Sequence, residues 1–241
     1  MPKKNFTFDL AHLPPSMMAS VKLLPKNERL ILFTRHSLRE PSDKNGFASY
    51  DLPLTADGRI LAQAWGRWLA ENLEYSMDVD SLSSPIQRCI ETATLMQAGA
   101  GIQRNISQQA LLVEPGSLVV DVSEAGKIFR EIGALKFINR FLANDLPGTK
   151  LSHIGGLDLL RLFYHSQPQP GYLLLSVSHD TLISAFLAVL MSSQQIDWND
   201  WPKMMEGVFL WFDDKPFEQA NVHFIWRGVT YKQGLADLLQ L

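Results

Sequence analysis

The chain has 241 residues, of which 46% are hydrophobic and 20% are charged, so it is long enough to bury a substantial core. Its formal net charge of −3 disfavours a general nucleic-acid-binding function, because such proteins need a basic face that displaces counterions. The single cysteine, Cys89, excludes an intramolecular disulfide and a multi-cysteine metal site.

Residues 1–28 are predicted to form an N-terminal arm on one domain that spans residues 29–241. The arm contains Pro14, Pro15 and Pro25 and has no regular hydrophobic period. The lysines near its start are not followed by an apolar stretch, and no run in the chain approaches the ~20 apolar residues that a membrane span requires. We therefore expect a soluble, cytoplasmic protein without membrane or nucleic-acid partners.

Strands and helices alternate in the first half of the domain. An apolar run predicts a strand over about 29–35, and Thr55 is suited to cap the helix that follows a polar loop. A short strand is predicted at about 79–82, and Pro85 favours the start of another helix. Leu111–Val113 is predicted to be a further short strand.

The second half of the domain continues this alternation and then ends in two consecutive strands. Helices are predicted over about 123–143 and 156–166, and a buried strand ending at Ser178 precedes an apolar helix over 181–190. The runs 207–212 and 221–226 are typical of paired edge strands. The pattern predicts an α/β fold, a three-layer α/β/α sandwich with a mainly parallel sheet and an antiparallel edge near the C-terminus.

The first group of candidate functional residues directly follows the first predicted strand. Arg35, His36 and Arg39 lie at its carboxyl end, and in a parallel sheet these ends border the ligand crevice. Guanidinium groups match the oxygens of a phosphoryl group with paired hydrogen bonds. A strand-to-loop crossing with ordinary surface arginines is the alternative interpretation.

Two more segments bring similar residues to the same edge. Arg88 lies on the first turn of the helix after the second strand, where helix N-termini favour anions, and His179 and Asp180 end the strand before the apolar helix. Each alone has a structural explanation: an arginine paired with a carboxylate, a core histidine, or an acid at a helix start. Together, the three segments favour phosphoryl transfer through a histidine nucleophile.

Four motifs occur in chain order: Arg35-His36-x-x-Arg39-x-Pro41; Leu54-Thr55-x-x-Gly58 followed by Gln63 and Gly66; Ser84-x-x-x-Arg88-x-x-x-Thr92-Ala93; and His179-Asp180-Thr181-x-Ile183. Together they resemble the histidine phosphatase superfamily, and most closely its acid-phosphatase branch. The resemblance covers about residues 29–230 and implies a phosphoglycerate-mutase-like fold.

The resemblance also implies a role for each matched residue. His36 would be the nucleophile that becomes phosphohistidine, and Asp180 would donate a proton to the leaving group. The phosphate pocket would consist of Arg35, Arg39, Arg88 and His179. The resemblance implies no metal and no cofactor, because the cationic side chains stabilise the transferred charge.

Two features depart from the acid-phosphatase pattern. Ser37 stands where that pattern has glycine after the nucleophile. The other branch of the superfamily takes its acid from a glutamate some tens of residues after the second arginine, and Glu114 lies in that region. Glu114 is therefore an alternative acid, although the position of Asp180 next to a matched histidine favours Asp180.

The sequence thus predicts a metal-independent phosphatase that acts on a phosphorylated small molecule or a phosphoprotein. Two alternatives are a phosphoglycerate-mutase-like phosphotransferase and a catalytically silent phosphate-binding module. A short insertion at about 100–155 and the Glu40–Pro53 loop are expected to select the substrate. The oligomeric state is left open.

Overall fold

The computed structural model describes residues 10–41 and 50–240. It contains a seven-stranded sheet with helices on both faces. Across the sheet the strands lie in the order β3-β2-β4-β1-β5-β6-β7. The first four in this order run parallel, whereas β5, β6 and β7 pair antiparallel. The strands are β1 (Arg29–Arg35), β2 (Ser81–Ser83), β3 (Ile106–Gln108), β4 (Tyr172–Ser178), β5 (Gly207–Phe212), β6 (Asn221–Trp226) and β7 (Val229–Gly234).

The helices of the described residues form the two outer layers. They are α1 (Pro15–Val21), α2 (Ala56–Asn72), α3 (Gln87–Gly99), α4 (Val122–Ile132), α5 (Ala134–Leu142), α6 (Ser152–His165), α7 (Asp180–Leu190) and α8 (Leu235–Leu239). None of the helices within these described ranges is long and apolar enough to cross a bilayer.

The sheet separates two hydrophobic cores. Side chains of a strand point alternately to opposite faces, so that Leu30 and Leu32 of β1 pack with α1, α2 and α3, whereas Ile31 and Phe33 pack with α4 to α8. Every residue of α7 from Thr181 to Leu190 is buried. The predicted three-layer α/β fold with an antiparallel C-terminal edge is therefore confirmed, although three of the six strand pairings of the described sheet are antiparallel.

Several elements differ from the sequence prediction. Leu111–Val113 is not a strand: Ala110–Leu112 is a short 3-10 helix, and the strand β3 lies a few residues earlier. A three-residue apolar run fits either structure, because it is too short to display a period. The predicted helix over 123–143 is interrupted at Gly133, whose φ of 78° ends α4 before α5 begins.

Strand β7 was not predicted. It is largely exposed and polar, so it lacks the apolar alternation that marks a half-buried strand. Arg227 and Gly228 connect it to β6, and both have positive φ angles, 50° and 75°, as in the two-residue turns of tight hairpins.

Helices α2 and α3 approach each other closely through two glycines. A Cβ atom on Gly66 would overlap the carbonyl oxygen of Met96, and one on Gly99 would overlap the carbonyl oxygen of Gln63. Because backbone atoms cannot rotate away as a side chain can, any larger residue must separate the helices.

We predict that Gly66→Ala destabilises the protein by about 2 kcal/mol, because the added methyl group overpacks this helix contact. The free energy of unfolding, measured in urea, checks this. Glu71→Ala, at an exposed position of the same helix, is the control and should stay close to the wild type. Equal stability of Gly66→Ala and the wild type would contradict the close approach.

Candidate active site

The pairing of β1 with β4 places two histidines side by side at the carboxyl edge of the sheet. The strands are parallel with Arg35 opposite Ser178, so His36 and His179 are the next residues on each. The backbone N–H of His36 donates to the carbonyl oxygen of Ser178 at 3.0 Å, which extends the pairing by one residue. The two rings lie 5.5 Å apart between centroids and are tilted by 69°.

His36 is buried and neutral, with one ring nitrogen free. Its Nδ1 lies 2.8 Å from the carbonyl oxygen of Ser37, which can only accept, so Nδ1 carries the proton and Nε2 holds a lone pair. Burial lowers the pKa of His36 well below its usual range, and the positive charges of Arg35 and Arg88 act in the same direction. This tautomer has the lone pair that a nucleophile needs.

His179 is also neutral and is fixed between two side chains. A terminal nitrogen of Arg88, which can only donate, lies 3.2 Å from its Nδ1, so Nδ1 accepts. The proton therefore resides on Nε2, which donates to Ser84 Oγ at 2.9 Å. Burial and the neighbouring Arg88 lower the pKa of His179 to about 3. His179 thereby orients Arg88 toward the sheet edge.

Arg35 and Asp180 form an ion pair next to His36. A terminal nitrogen of Arg35 lies 2.6 Å from Asp180 Oδ2, and the Trp201 indole N–H donates to the same oxygen at 3.1 Å. The backbone N–H of Thr181 donates to Oδ1 at 3.0 Å. Although burial acts in the opposite direction, Arg35 and these hydrogen bonds hold the pKa of Asp180 below its ordinary value. Asp180 is therefore ionised at neutral pH.

Glu114 is a second carboxyl at this edge, with opposite properties. Only 5% of it is exposed, and the hydroxyl of Thr181 donates to its Oε1. Burial and repulsion from Asp180 raise the pKa of Glu114 to about 7. The Ser178 hydroxyl donates to the carbonyl oxygen of Leu112 at 2.7 Å and so anchors the segment that leads to Glu114 to the end of β4. A substantial fraction of Glu114 is protonated at neutral pH.

Ser37, which replaces the expected glycine, fits the loop after the nucleophile. It is fully buried, its hydroxyl donates to the carbonyl oxygen of Gly58 at 2.7 Å, and its backbone N–H donates to Thr92 Oγ1 at 3.1 Å. Thr92 in turn donates to the carbonyl oxygen of Arg88 at 2.7 Å. Serine therefore connects this loop to the start of α2 and to α3.

The structure brings the predicted residues to one edge, with Arg39 at its rim. Arg39 is half-buried, and one of its terminal nitrogens donates to the carbonyl oxygen of Glu40 at 2.7 Å. Burial and repulsion from Arg35 lower the pKa of Arg39. The residues that share the edge are Arg35, His36, Arg88, Glu114, His179 and Asp180.

Some contributors to this site could not be identified from the motifs. Ser84 and Thr181 lie within motifs, but nothing in the pattern shows that they bond to His179 and Glu114. Trp201 belongs to none of the motifs, and its indole N–H donates to Asp180. Residues 42–49 of the loop predicted to select the substrate lie outside the described residues.

Cys89 is a small core residue next to the site. It is fully buried, and its Sγ lies 3.6 Å from both the carbonyl oxygen of Ser178 and Nε2 of His179. Burial raises the pKa of its thiol to about 12, so it is not a thiolate at neutral pH.

Comparison with known proteins bears directly on these motifs. The sequence model described as the histidine phosphatase superfamily (branch 1) matches residues 31–114, from within β1 to Glu114. This match covers about a third of the chain and supports its resemblance to the histidine phosphatase superfamily. The finer assignment to the acid-phosphatase branch stays a prediction. No curated protein matches the chain significantly in sequence.

Solved structures of the histidine phosphatase superfamily share the fold. A mycobacterial glucosyl-3-phosphoglycerate phosphatase is 19% identical with a TM-score of 0.57, and the match covers 83% of this chain and 98% of that one. A phosphoglycerate mutase from Bacillus anthracis is 17% identical with a TM-score of 0.53, over 89% and 95% of the two chains. At these identities the similarity concerns the fold.

The raised pKa of Glu114 predicts that stability depends on pH. The unfolded chain titrates this carboxyl near its ordinary 4.5 and the folded chain near 7, so between these values the folded state binds more protons and stability falls as pH rises. The variant Glu114→Gln is neutral throughout. The free energy of unfolding of this variant minus that of the wild type should therefore increase by about 2 kcal/mol from pH 5 to pH 8.

Urea denaturation of both proteins from pH 5 to pH 8 measures this difference. Glu131→Gln, at an exposed position of α4, is the control and should show no such trend. A constant difference between Glu114→Gln and the wild type would contradict the raised pKa.

Proposed function

We propose that the protein is a phosphatase that hydrolyses a phosphomonoester through a phosphohistidine on His36. The observation that carries this proposal is the free Nε2 lone pair of His36 among Arg35, Arg88 and the half-buried Arg39. A neutral imidazole is nucleophilic, and fixed guanidinium groups stabilise the charge that develops on a transferring phosphoryl group. No metal is required in this scheme, because the arginines supply the positive charge.

In the first step, Nε2 of His36 attacks phosphorus. The new nitrogen–phosphorus bond forms as the bond between phosphorus and the leaving oxygen breaks. The Nδ1–H continues to donate to the carbonyl oxygen of Ser37, which keeps the ring oriented while Nε2 becomes bonded to phosphorus. Arg35, Arg39 and Arg88 bind the phosphoryl oxygens, and His179 keeps Arg88 in place.

Glu114 is the proton donor in this proposal. A donor must be protonated before the step, and of the two carboxyls only Glu114 has a raised pKa, about 7, whereas Asp180 is ion-paired with Arg35 at 2.6 Å. This reverses the preference for Asp180 that the sequence suggested. Asp180 instead orients Arg35.

In the second step, water attacks the phosphohistidine. Glu114, deprotonated by the first step, accepts a proton from this water, the nitrogen–phosphorus bond breaks, and inorganic phosphate leaves. The enzyme returns to its starting state with His36 neutral and Glu114 protonated. Transfer to a second substrate molecule instead of water would make the protein a phosphotransferase, as the name of the Bacillus anthracis neighbour illustrates.

The substrate is a phosphorylated small molecule or a phosphoprotein in this proposal. The name of the mycobacterial neighbour describes an enzyme that acts on a phosphorylated sugar derivative, which supports a phosphomonoester as the substrate class and nothing narrower. The cytoplasmic location expected from the sequence stays a prediction.

His36→Ala is predicted to abolish the hydrolysis of p-nitrophenyl phosphate in the presence of EDTA, because it removes the nucleophile that forms the covalent intermediate. Phosphate release is the measurement, and circular dichroism verifies the fold. His165→Ala, at an exposed position of α6, should retain wild-type activity. Activity in His36→Ala would remove the nucleophile from the proposal, and phosphoryl transfer without net phosphate release would favour the phosphotransferase.

Glu114→Gln is predicted to slow the hydrolysis of alkyl phosphates by at least about 100-fold and that of p-nitrophenyl phosphate much less, because nitrophenolate needs little protonation to leave. The wild-type decline of kcat/KM above pH 7 should also be lost for alkyl phosphates. Asp180→Asn should slow both substrates alike, since it acts through Arg35. If Asp180→Asn slows alkyl phosphates selectively and Glu114→Gln slows both substrates alike, the acid is Asp180.

A further inference from the structure

We propose that Trp201 is a positioning residue, which holds Arg35 in its phosphate-binding orientation through the indole N–H bond to Asp180. The inference rests on the proposed function, because it assigns Arg35 to the phosphate pocket. Trp201 lies in the segment before β5, about twenty residues beyond Asp180, and belongs to none of the four motifs.

The orientation of Arg35 depends on two partners. One terminal nitrogen pairs with Asp180 Oδ2 at 2.6 Å, and the other donates to the carbonyl oxygen of Pro202 at 2.8 Å. Only 12% of the Arg35 side chain is exposed, so solvent does little to screen these contacts. The two partners fix the guanidinium plane at both ends.

Trp201 and Pro202 are adjacent, and each secures one end of this arrangement. The indole N–H of Trp201 donates to Asp180 Oδ2 at 3.1 Å, which is the oxygen that Arg35 also contacts. The next residue supplies the carbonyl that binds Arg35 directly. One dipeptide thus determines the position of both members of the ion pair.

The segment that carries this dipeptide is itself held by an ion pair between Arg227 and the buried Glu206. Arg227 contacts both carboxylate oxygens of Glu206 at 3.0 Å, and it also donates to the carbonyl oxygens of Trp201 at 2.9 Å and of Asn199. Glu206 is 2% exposed, and its backbone carbonyl accepts from the N–H of Arg35 at 3.0 Å. The Trp201 backbone is therefore fixed relative to β1.

The charges around Asp180 explain why a second donor matters. Besides Arg35, the charges of Arg88, Arg39 and Glu114 interact electrostatically with this carboxylate. Without the indole N–H, Asp180 Oδ2 is free to turn toward the other arginines, and Arg35 loses one of its two fixed partners. A phosphate ligand must then order Arg35 on binding, which weakens its affinity.

Trp201→Phe keeps the aromatic ring and removes only the N–H donor. We expect inorganic phosphate, titrated by calorimetry, to bind about tenfold more weakly, since the lost bond is to a charged acceptor. Phosphatase kcat/KM should fall by a similar factor while the melting temperature stays near the wild-type value. Trp198→Phe is the matched control: its side chain is 63% exposed, its ring centroid lies 5.0 Å from that of Trp201, and it makes no bond to Asp180.

A double-mutant cycle separates positioning from packing. If Trp201 acts through Asp180, then Trp201→Phe has almost no further effect on phosphate affinity when Asp180 is already Asn. Independent losses that add in the double variant overturn the proposal, as does a Trp201→Phe protein with unchanged phosphate affinity. If Trp201→Phe fails to fold, Arg227→Lys provides the test, because it releases the Trp201 carbonyl and should lower phosphate affinity only while Asp180 is present.

Phosphate binding also distinguishes this proposal from the proposed function. A protein that binds phosphate in a Trp201-dependent way but hydrolyses no ester supports the positioning role and contradicts the phosphatase. A protein whose His36-dependent hydrolysis is insensitive to Trp201→Phe supports the phosphatase and contradicts the positioning role. Failure of the wild type to bind phosphate overturns both.

Discussion

The parallel pairing of β1 with β4 is the constraint on which the site depends. Its register sets Arg35 opposite Ser178, and the backbone bond from His36 to Ser178 carries the pairing to the first residue beyond the strands. A slip of one residue would turn the side chains of one strand to the opposite face, bury polar groups in the wrong core and separate the two histidines. Both strands are buried on both faces, so the same residues that build the two cores also align the site.

Burial and a cluster of arginines then decide which groups carry charge. The imidazoles of His36 and His179 lie among fixed cations in a desolvated environment, and both conditions favour their neutral forms. The two carboxyls diverge in pKa: the ion pair with Arg35 holds the pKa of Asp180 down, whereas burial and repulsion from Asp180 raise the pKa of Glu114. Two carboxyls with opposite protonation states beside a neutral imidazole match the roles that the proposed mechanism gives them.

The sequence predicted those parts of the molecule in which local pattern and function coincide. Strand β1, the cap at Thr55 and the antiparallel strands β5 and β6 follow from apolar runs and turn residues, although β5 and β6 are internal because β7 forms the edge beyond them. The motifs identified both histidines and the arginines. Strand β7 escaped prediction because its side chains are polar, and the break at Gly133 escaped because one glycine within a periodic stretch does not by itself end a helix. The choice between Asp180 and Glu114 depends on which carboxyl contacts Arg35, and these carboxyls lie about 145 and 80 residues from it along the chain, so no linear pattern encodes it. Trp201 was missed for the same reason.

The bond between Ser16 and Glu206 has a consequence for how the protein is assembled during synthesis. These residues are 190 positions apart, and Glu206 also binds Arg227, in the turn between the last two strands. A nascent chain that has already released β1, β2 and β4 from the ribosome still lacks Pro202, Glu206 and Arg227, so Arg35 has no fixed orientation at that stage. Contacts of such long sequence separation form late. The candidate site is therefore completed only after the final hairpin has emerged, because a chain interrupted before that point lacks the residues that fix Arg35.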